Sequence, residues 1–165
     1  MTFMAPRTLR KVLTHVLVTL AHKMRVGRYM LGFATRVLYR AICHDNSKLY
    51  PPELIIFANA PARPYDVSYG SPKYYKNLSN LSGALLHHYS HNRHHPEHYD
   101  KGIRGMSLLD LVEMVSDWQA ALNSHMGTSV QEIITNSQQR FGMSDDLSAV
   151  LSNSMNSGHS PRAEE

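Results

Sequence analysis

Residues 107–122 read Ser-Leu-Leu-Asp-Leu-Val-Glu-Met-Val-Ser-Asp-Trp-Gln-Ala-Ala-Leu and carry the clearest helical pattern of the chain. Ser107 and Asp110 stand at the two ends of a capping-box variant, which predicts that a helix begins here. Large apolar residues then recur at alternating steps of three and four, the spacing of a helix face that packs into a core. They are Leu108, Leu111, Val115, Trp118 and Leu122.

A second face of this predicted helix is acidic. Asp110, Glu113 and Asp117 are spaced by three and four residues, so they lie on one side of the helix. Three like charges repel one another unless a cation or several donors lie beside them, although a solvated acidic face has the same pattern. The spacing predicts that Asp117 faces a metal ion.

The rest of the chain predicts further helices and shows no strand pattern. The predicted helices cover about residues 8–25, 28–43, 53–60, 72–89, 129–141 and 145–151, with a break at Gly27. Residues 61–72, rich in Pro, Gly, Ser and Tyr, predict a surface loop. The expected fold is all-α, a single compact helical bundle.

Length and composition predict one domain. A chain of 165 residues with 42% hydrophobic content can form one core, which we place in residues 1–152. Residues 153–165 are polar and are predicted to be a disordered tail. The single cysteine, Cys43, excludes an internal disulfide and predicts a reducing, cytoplasmic location. No segment is long enough to cross a membrane.

The net charge of +4 indicates anionic partners. The chain has no ladder of interleaved basic and aromatic residues, which argues against nucleic acid. Attraction of a small phosphorylated substrate needs no more charge than this. A homo-oligomer is compatible with the composition.

Residues 43–48, Cys-His-Asp-Asn-Ser-Lys, hold the most reactive dipeptide of the sequence, His44-Asp45. A neutral imidazole and a carboxylate are ligands for a divalent cation, and a catalytic site leaves positions open for water and substrate. Lys48 follows at a distance from which its ammonium group can meet a phosphate as a point charge.

A histidine-rich tract covers residues 87–98, His-His-Tyr-Ser-His-Asn-Arg-His-His-Pro-Glu-His. The tract is internal and interrupted, unlike a purification tag, and such clustering favours a role in binding metal or phosphate. We expect His88, His94 and His95 to converge on Asp117 and to act as substrate donors or as one extra metal ligand.

Five ordered motifs together resemble a known family. They are H-K-x-x-V at His22, H-D-x-S-K at His44, H-x-x-x-N-x-H-H-P-E at His88, G-I-x-x-M-S at Gly102 and E-M-x-x-D-W at Glu113. The resemblance covers about residues 8–152 and is to an uncharacterised family of small HD-like proteins of bacteria, phages and large DNA viruses. It implies an HD-type helical fold and a metal site.

The wider HD superfamily resembles this chain through its ligand set alone. That likeness implies that His22, His44, Asp45 and Asp117 ligate one divalent transition metal, such as Mn, Co, Zn or Fe. Dinuclear members of the superfamily have two further histidines, twenty or more residues apart. His88 and His94 are only six residues apart, which speaks against a conventional second metal site.

The function expected from these features is metal-dependent hydrolysis of a phosphate ester in a nucleotide or another small metabolite. Lys48 would neutralise the phosphate. Glu53 or Glu113 would serve as general base or would orient a ligand imidazole, and the sequence does not choose between these roles. The alternatives are an HD-type di-iron oxygenase and a degenerate HD domain that binds a nucleotide or a partner protein.

Overall fold

The computed structural model describes residues 6–60, 71, 72, 76, 79–122 and 129–157. All regular secondary structure in these residues is helical, which confirms the predicted all-α class. The α-helices are α1 (Pro6–Cys43), α2 (Glu53–Ala58), α3 (Ser82–His91), α4 (Leu108–Leu122), α5 (Val130–Phe141) and α6 (Asp145–Ser157). Short 3₁₀ helices cover Asn46–Leu49, Pro96–His98 and Gly102–Gly105. The predicted surface loop at 61–72 falls mainly outside the described residues.

Contacts divide the chain into two compact units, Met1–Ile42 and Cys43–Glu165, and the single domain expected from the sequence stays a prediction. The described residues of the first unit all belong to α1, which is one continuous helix of 38 residues. The predicted break at Gly27 is therefore wrong. A glycine inside a helix costs only about 1 kcal/mol relative to alanine and keeps its backbone hydrogen bonds, so favourable residues on both sides can extend the helix through it.

The core of the second unit lies among α4, α5 and α6. Met114 of α4 and Met155 of α6 are almost completely buried, and Trp118 packs against the same cluster. The predicted apolar stripe of α4 is confirmed except at Leu108, which is 63% exposed because it occupies the first turn. Periodicity thus identified the buried face of this helix.

Capping residues set the helix ends as the sequence predicted. Ser107 donates to Asp110 Oδ2 through its backbone N–H and its hydroxyl, each at 2.6 Å, at the start of α4. Ser129 and Glu132 form a capping box on α5, and Gly142 ends that helix with a φ of 62°. The positive φ requires a left-handed conformation that glycine adopts without strain.

Helix α6 ends later than the sequence indicated. The tail was predicted to begin at 153, but α6 continues to Ser157 and Met155 is fully buried. Asn153, Ser154 and Asn156 are exposed while Met155 packs into the core. The polar composition of the segment therefore gave no sign that one of its residues is buried. Residues 158–165 lie outside the described part of the chain. No helix within the described part is long and apolar enough to cross a membrane.

Candidate metal centre

Asp45 lies in a tight turn between the end of α1 and the 3₁₀ helix Asn46–Leu49. Its φ is 56°, in the left-handed region that aspartate tolerates better than most residues. The backbone N–H of Lys48 donates to the Asp45 carbonyl oxygen at 2.9 Å and closes the turn. A non-glycine residue held in this conformation often marks a functional position. The turn leaves the Asp45 side chain only 17% exposed.

The two carboxylate oxygens of Asp45 face different groups of side chains. Oδ1 lies 3.4 Å from His88 Nε2 and 3.5 Å from His94 Nε2. Oδ2 lies 3.5 Å from His44 Nε2 and 2.5 Å from Lys48 Nζ. One carboxylate therefore connects the His-Asp pair with the histidine-rich tract.

The first donor group contains Asp45, His88, His94 and His95. These residues each offer one ligand atom, and the atoms lie within 4.8 Å of one another. His88 is on the last turn of α3 and His94 and His95 follow the end of that helix, with His88 Nε2 and His95 Nε2 separated by 2.9 Å. His88 and His94 are 2% and 1% exposed, whereas Asp45 and His95 are partly buried.

The second donor group contains His44, Asp45 and Asp117. His44 Nε2 lies 3.6 Å from Asp117 Oδ1, which the middle of α4 positions. The side chains of His44 and Asp117 are 28% and 34% exposed. Solvent and a small ligand can reach this group more readily than the first.

Glu113 lies beside two of the imidazoles and forms a hydrogen bond with one of them. Its Oε1 accepts a hydrogen bond from His44 Nδ1 at 3.0 Å. The same oxygen lies 3.2 Å from His94 Nδ1 without the alignment of a hydrogen bond. A carboxylate on Nδ1 turns the Nε2 lone pair toward the opposite side, as second partners of metal-bound histidines commonly do. In both rings that side faces Asp45.

Glu53 has the same relation to His88. This carboxylate is completely buried at the start of α2. Its Oε2 accepts from His88 Nδ1 at 2.8 Å and from Ser47 Oγ at 3.0 Å, and its Oε1 accepts from His87 Nδ1 at 2.6 Å. Asn92 Nδ2 donates to Ser47 Oγ at 2.7 Å and extends the network. Both oxygens of Glu53 are therefore occupied within the protein.

The carboxylates shift the pKa of His44 upward. Hydrogen bonds to Asp117 and Glu113 outweigh burial and raise the pKa of His44 to about 10. Burial, followed by repulsion from His94 and His88, lowers the pKa of His95 to about 3. Burial also lowers the pKa of His88. In the metal-free protein at neutral pH, His44 is thus a cation while His88 and His95 are neutral.

Several buried atoms of the cluster have no hydrogen-bond partner. Within the described residues, these include Asp45 Oδ1 and both ring nitrogens of His94. Leaving buried polar atoms unpaired costs about 1–3 kcal/mol each. Ligands about 2.1 Å from one ion are separated by about 2.9–3.4 Å in octahedral or tetrahedral geometry. Three of the donor separations, 2.9, 3.4 and 3.5 Å, lie within or just above that range, and all four ligand atoms lie within 4.8 Å of one another.

The structure brings most of the site residues predicted from sequence together around Asp45. His44, Asp45 and Asp117 lie together, and His88, His94 and His95 converge on Asp45. Although His88 and His94 are only six residues apart, both can approach Asp45, because α3 ends at His91 and the following turn brings His94 back beside His88. His22 is exposed on α1 in the first unit, and its role as a ligand stays a prediction.

The contacts also distinguish between roles that the sequence left open. Glu53 and Glu113 contact imidazoles, which favours orientation of ligands over general-base catalysis. Lys48 is 44% exposed and forms an ion pair with Asp45. Asp110 does not join Glu113 and Asp117 at the candidate site. It caps α4 instead and accepts a hydrogen bond from Arg93 Nε at 3.3 Å. The repulsion expected among the three carboxylates is relieved by donors, since Ser107 and Arg93 contact Asp110 while His44 contacts both Glu113 and Asp117.

Sequence reasoning missed Ser47, His87 and Asn92. Their long-range contacts, from His87 to Glu53 and from Asn92 to Ser47, join residues 34 and 45 positions apart, so no local pattern predicts them. Ser47 and Asn92 were present in the H-D-x-S-K and H-x-x-x-N-x-H-H-P-E motifs, which was the available signal. His87 had no signal beyond its place in the tract.

Comparison with known proteins gives a family without an assigned activity. No curated protein matches the chain, and no solved structure matches it. A family model described as a family of unknown function, DUF5662, matches residues 11–157 and thus spans both candidate donor groups. This chain belongs to the DUF5662 family.

Proposed function

We propose that this chain is a metal-dependent hydrolase of phosphate esters, of the HD type, acting on a nucleotide or another small phosphorylated metabolite. The observation that carries the proposal is the Asp45 carboxylate, which has imidazoles beside both oxygens and the Lys48 ammonium group on its exposed side. A hydrolytic centre for an anion needs this combination of ligands and a nearby cation.

The residues have separate roles in this proposal. His44, Asp45 and Asp117 would hold a divalent ion such as Mn, Co, Zn or Fe, and Glu113 would fix the orientation of His44. When bound, the ion supplies Lewis acidity and lowers the pKa of water. The proposal does not require Glu53 or Glu113 to move a proton.

Lys48 is the residue that would contact the phosphate. Its ammonium group is partly exposed and is held 2.5 Å from Asp45 Oδ2. A metal ion that neutralises Asp45 would release the flexible lysine side chain, which could then pair with an incoming phosphate. The ion pair with Asp45 would thus keep Lys48 beside the site before substrate arrives.

A di-iron oxygenase is the second candidate, and the donor group of Asp45, His88, His94 and His95 favours it. This group could hold a second iron, as such an oxygenase requires. A degenerate HD domain that only binds a nucleotide or a protein has less support, because such a domain has no need to keep buried donor groups of this kind.

The test compares phosphate release from nucleotides and sugar phosphates with added manganese, cobalt or zinc. Lys48→Ala should keep its metal and lose turnover by about 100-fold, the scale expected for one lost electrostatic contact. Lys101→Ala is the matched control, since Lys101 is exposed and outside both donor groups. Equal turnover by Lys48→Ala and wild type would refute the phosphate role. Dioxygen consumption by the iron-loaded protein would favour the oxygenase.

A further inference from the structure

The two donor groups around Asp45 differ in chemistry. The inner group, His88, His94, His95 and Asp45 Oδ1, offers three imidazoles and one carboxylate oxygen. The outer group, His44, Asp117 and Asp45 Oδ2, offers one imidazole and two carboxylate oxygens. Imidazole suits zinc, cobalt, nickel and iron, whereas carboxylate oxygens suit manganese and magnesium.

The two groups also differ in exposure. His88 and His94 are almost completely buried, while the side chains of His44 and Asp117 in the outer group are 28% and 34% exposed. His88 is fixed through Glu53, which Ser47 and His87 hold in turn. Ligands locked in place before binding lose little conformational freedom when an ion arrives, which favours tight binding.

Charge compensation separates the groups further. On the outer side, Lys48 already pairs with Asp45 Oδ2, so an ion must displace an existing cation. On the inner side, Asp45 Oδ1 and His94 Nε2 are buried without hydrogen-bond partners within the described residues. An inner ion would therefore satisfy unpaired atoms instead of competing for paired ones.

We propose that the cluster contains two unequal metal sites that share Asp45. The inner, nitrogen-rich site binds an ion such as Zn²⁺ or Co²⁺ first and tightly. The outer, oxygen-rich site fills second, exchanges readily and accepts Mn²⁺. This reassigns His88, His94 and His95 from substrate donors to metal ligands. The inference rests on the metal centre of the proposed function, but not on phosphate-ester hydrolysis.

A hydrogen-bonded histidine cluster is the alternative explanation of the inner group. The 2.9 Å separation of His88 Nε2 and His95 Nε2 also fits an N–H···N hydrogen bond. Such a bond leaves Asp45 Oδ1 and His94 Nε2 unsatisfied, whereas one ion satisfies all four atoms. The two explanations differ in whether the stripped protein binds metal through His95.

The experiment is a titration of chelator-stripped protein with Co²⁺, followed by visible absorption and calorimetry, and a parallel titration with Mn²⁺ followed by electron paramagnetic resonance. We expect two Co²⁺ equivalents in two resolved steps and one Mn²⁺ equivalent. Asp117→Asn should abolish the weak Co²⁺ step and the Mn²⁺ signal while leaving the tight step unchanged. His95→Ala should weaken the tight step by at least about 10-fold to 100-fold.

His91→Ala is the matched control, because His91 lies in the same tract but in neither donor group. Circular dichroism checks that each variant folds, and His95→Gln replaces His95→Ala if the latter does not. If wild type binds only one Co²⁺ and either substitution abolishes that binding, the two-site inference is overturned. If Asp117→Asn abolishes the tight step and His95→Ala does not weaken it, the order of filling is overturned.

The metal titrations and the hydrolysis assay can fail independently of each other. Two-step binding without hydrolysis of any phosphate ester would leave the inference standing and remove the proposed activity. Failure of folded wild-type protein to bind Co²⁺ would refute the metal centre itself. Hydrolysis supported by one tightly bound ion that requires Asp117 but not His95 would uphold the activity and refute the inner site.

Discussion

The Glu113 carboxylate accepts a hydrogen bond from His44 Nδ1 at 3.0 Å, and this contact directs His44 Nε2 toward Asp45 and Asp117. Glu113 therefore acts through the ring that it holds. The same oxygen lies beside His94, so a single carboxylate influences one imidazole of each donor group.

Replacing Glu113 should weaken metal binding without removing a ligand. Glu113→Gln should raise the dissociation constants for Co²⁺ by about 10-fold to 100-fold, the usual effect of losing a carboxylate that orients a ligand histidine. The measurement is the Co²⁺ titration described above. Glu97→Gln is the control, because Glu97 pairs with Arg140 and contacts no ligand imidazole in the described structure. Unchanged affinity in Glu113→Gln would show that His44 is oriented without it.

Metal binding at the outer group should release about one proton at pH 7.5. In the metal-free protein the pKa of His44 is raised to about 10, mainly by its hydrogen bonds to Asp117 and Glu113. His44 is thus protonated at pH 7.5 and must lose its proton to become a ligand. The release should disappear as the pH rises through 10, where the ring is already neutral.

Calorimetry in two buffers of different ionisation enthalpy measures this release. Glu113→Gln should reduce it, since one of the carboxylates that raise the pKa of His44 is gone. A heat of binding independent of the buffer at pH 7.5 would contradict the expected protonation of His44.

The sequence predicted the elements better than the contacts between them. The period of residues 107–122 identified α4 and its buried face, and Ser129 and Gly142 marked the ends of α5, because these signals are local. The direction of each Asp45 oxygen depends on a left-handed turn that no spacing reveals. The role of Glu53 depends on residues 34 and 35 positions away. The continuity of α1 through Gly27 depends on a balance of about 1 kcal/mol.

Glu53 should contribute strongly to stability. Glu53→Ala leaves His87, His88 and Ser47 without their buried acceptor and should lower the free energy of unfolding by about 1–3 kcal/mol or more. Urea unfolding of stripped protein measures the change. Glu97→Ala, which breaks a partly exposed ion pair, should cost at most about 1 kcal/mol. Equal effects would mean that the network around Glu53 adds no stability.

The stability that the Glu53 charge provides should depend on pH. Burial acts to raise the pKa of Glu53, but hydrogen bonds from His87, His88 and Ser47 outweigh it and lower the pKa below its ordinary value of 4.5. The contribution is therefore present above pH 4.5 and is lost as the pH falls through the lowered pKa. Glu53→Gln should show a smaller decrease in stability between pH 5 and pH 3 than wild type. An identical decrease would contradict this origin.

His94 should be unfavourable for the metal-free fold and necessary for the metal-bound one. Its ring is 1% exposed, and within the described residues neither nitrogen has a hydrogen-bond partner. His94→Leu places an apolar side chain of similar size there and removes two unpaired buried atoms, so the stripped variant should be at least as stable as stripped wild type. Wild type should gain about 2.7 kcal/mol from Zn²⁺ at 100 times the dissociation constant. The variant should gain little, because the inner site has lost a ligand.

His88→Leu is the matched comparison for His94→Leu. His88 is equally buried, but its Nδ1 donates to Glu53. Its replacement removes one of the three donors to that buried carboxylate, so stripped His88→Leu should be less stable than stripped wild type, while both variants lose the gain from Zn²⁺. Thermal unfolding with and without Zn²⁺ separates the two effects. A stripped His94→Leu protein as unstable as His88→Leu would show that His94 is satisfied without metal, and an undiminished gain from Zn²⁺ would show that His94 is not a ligand.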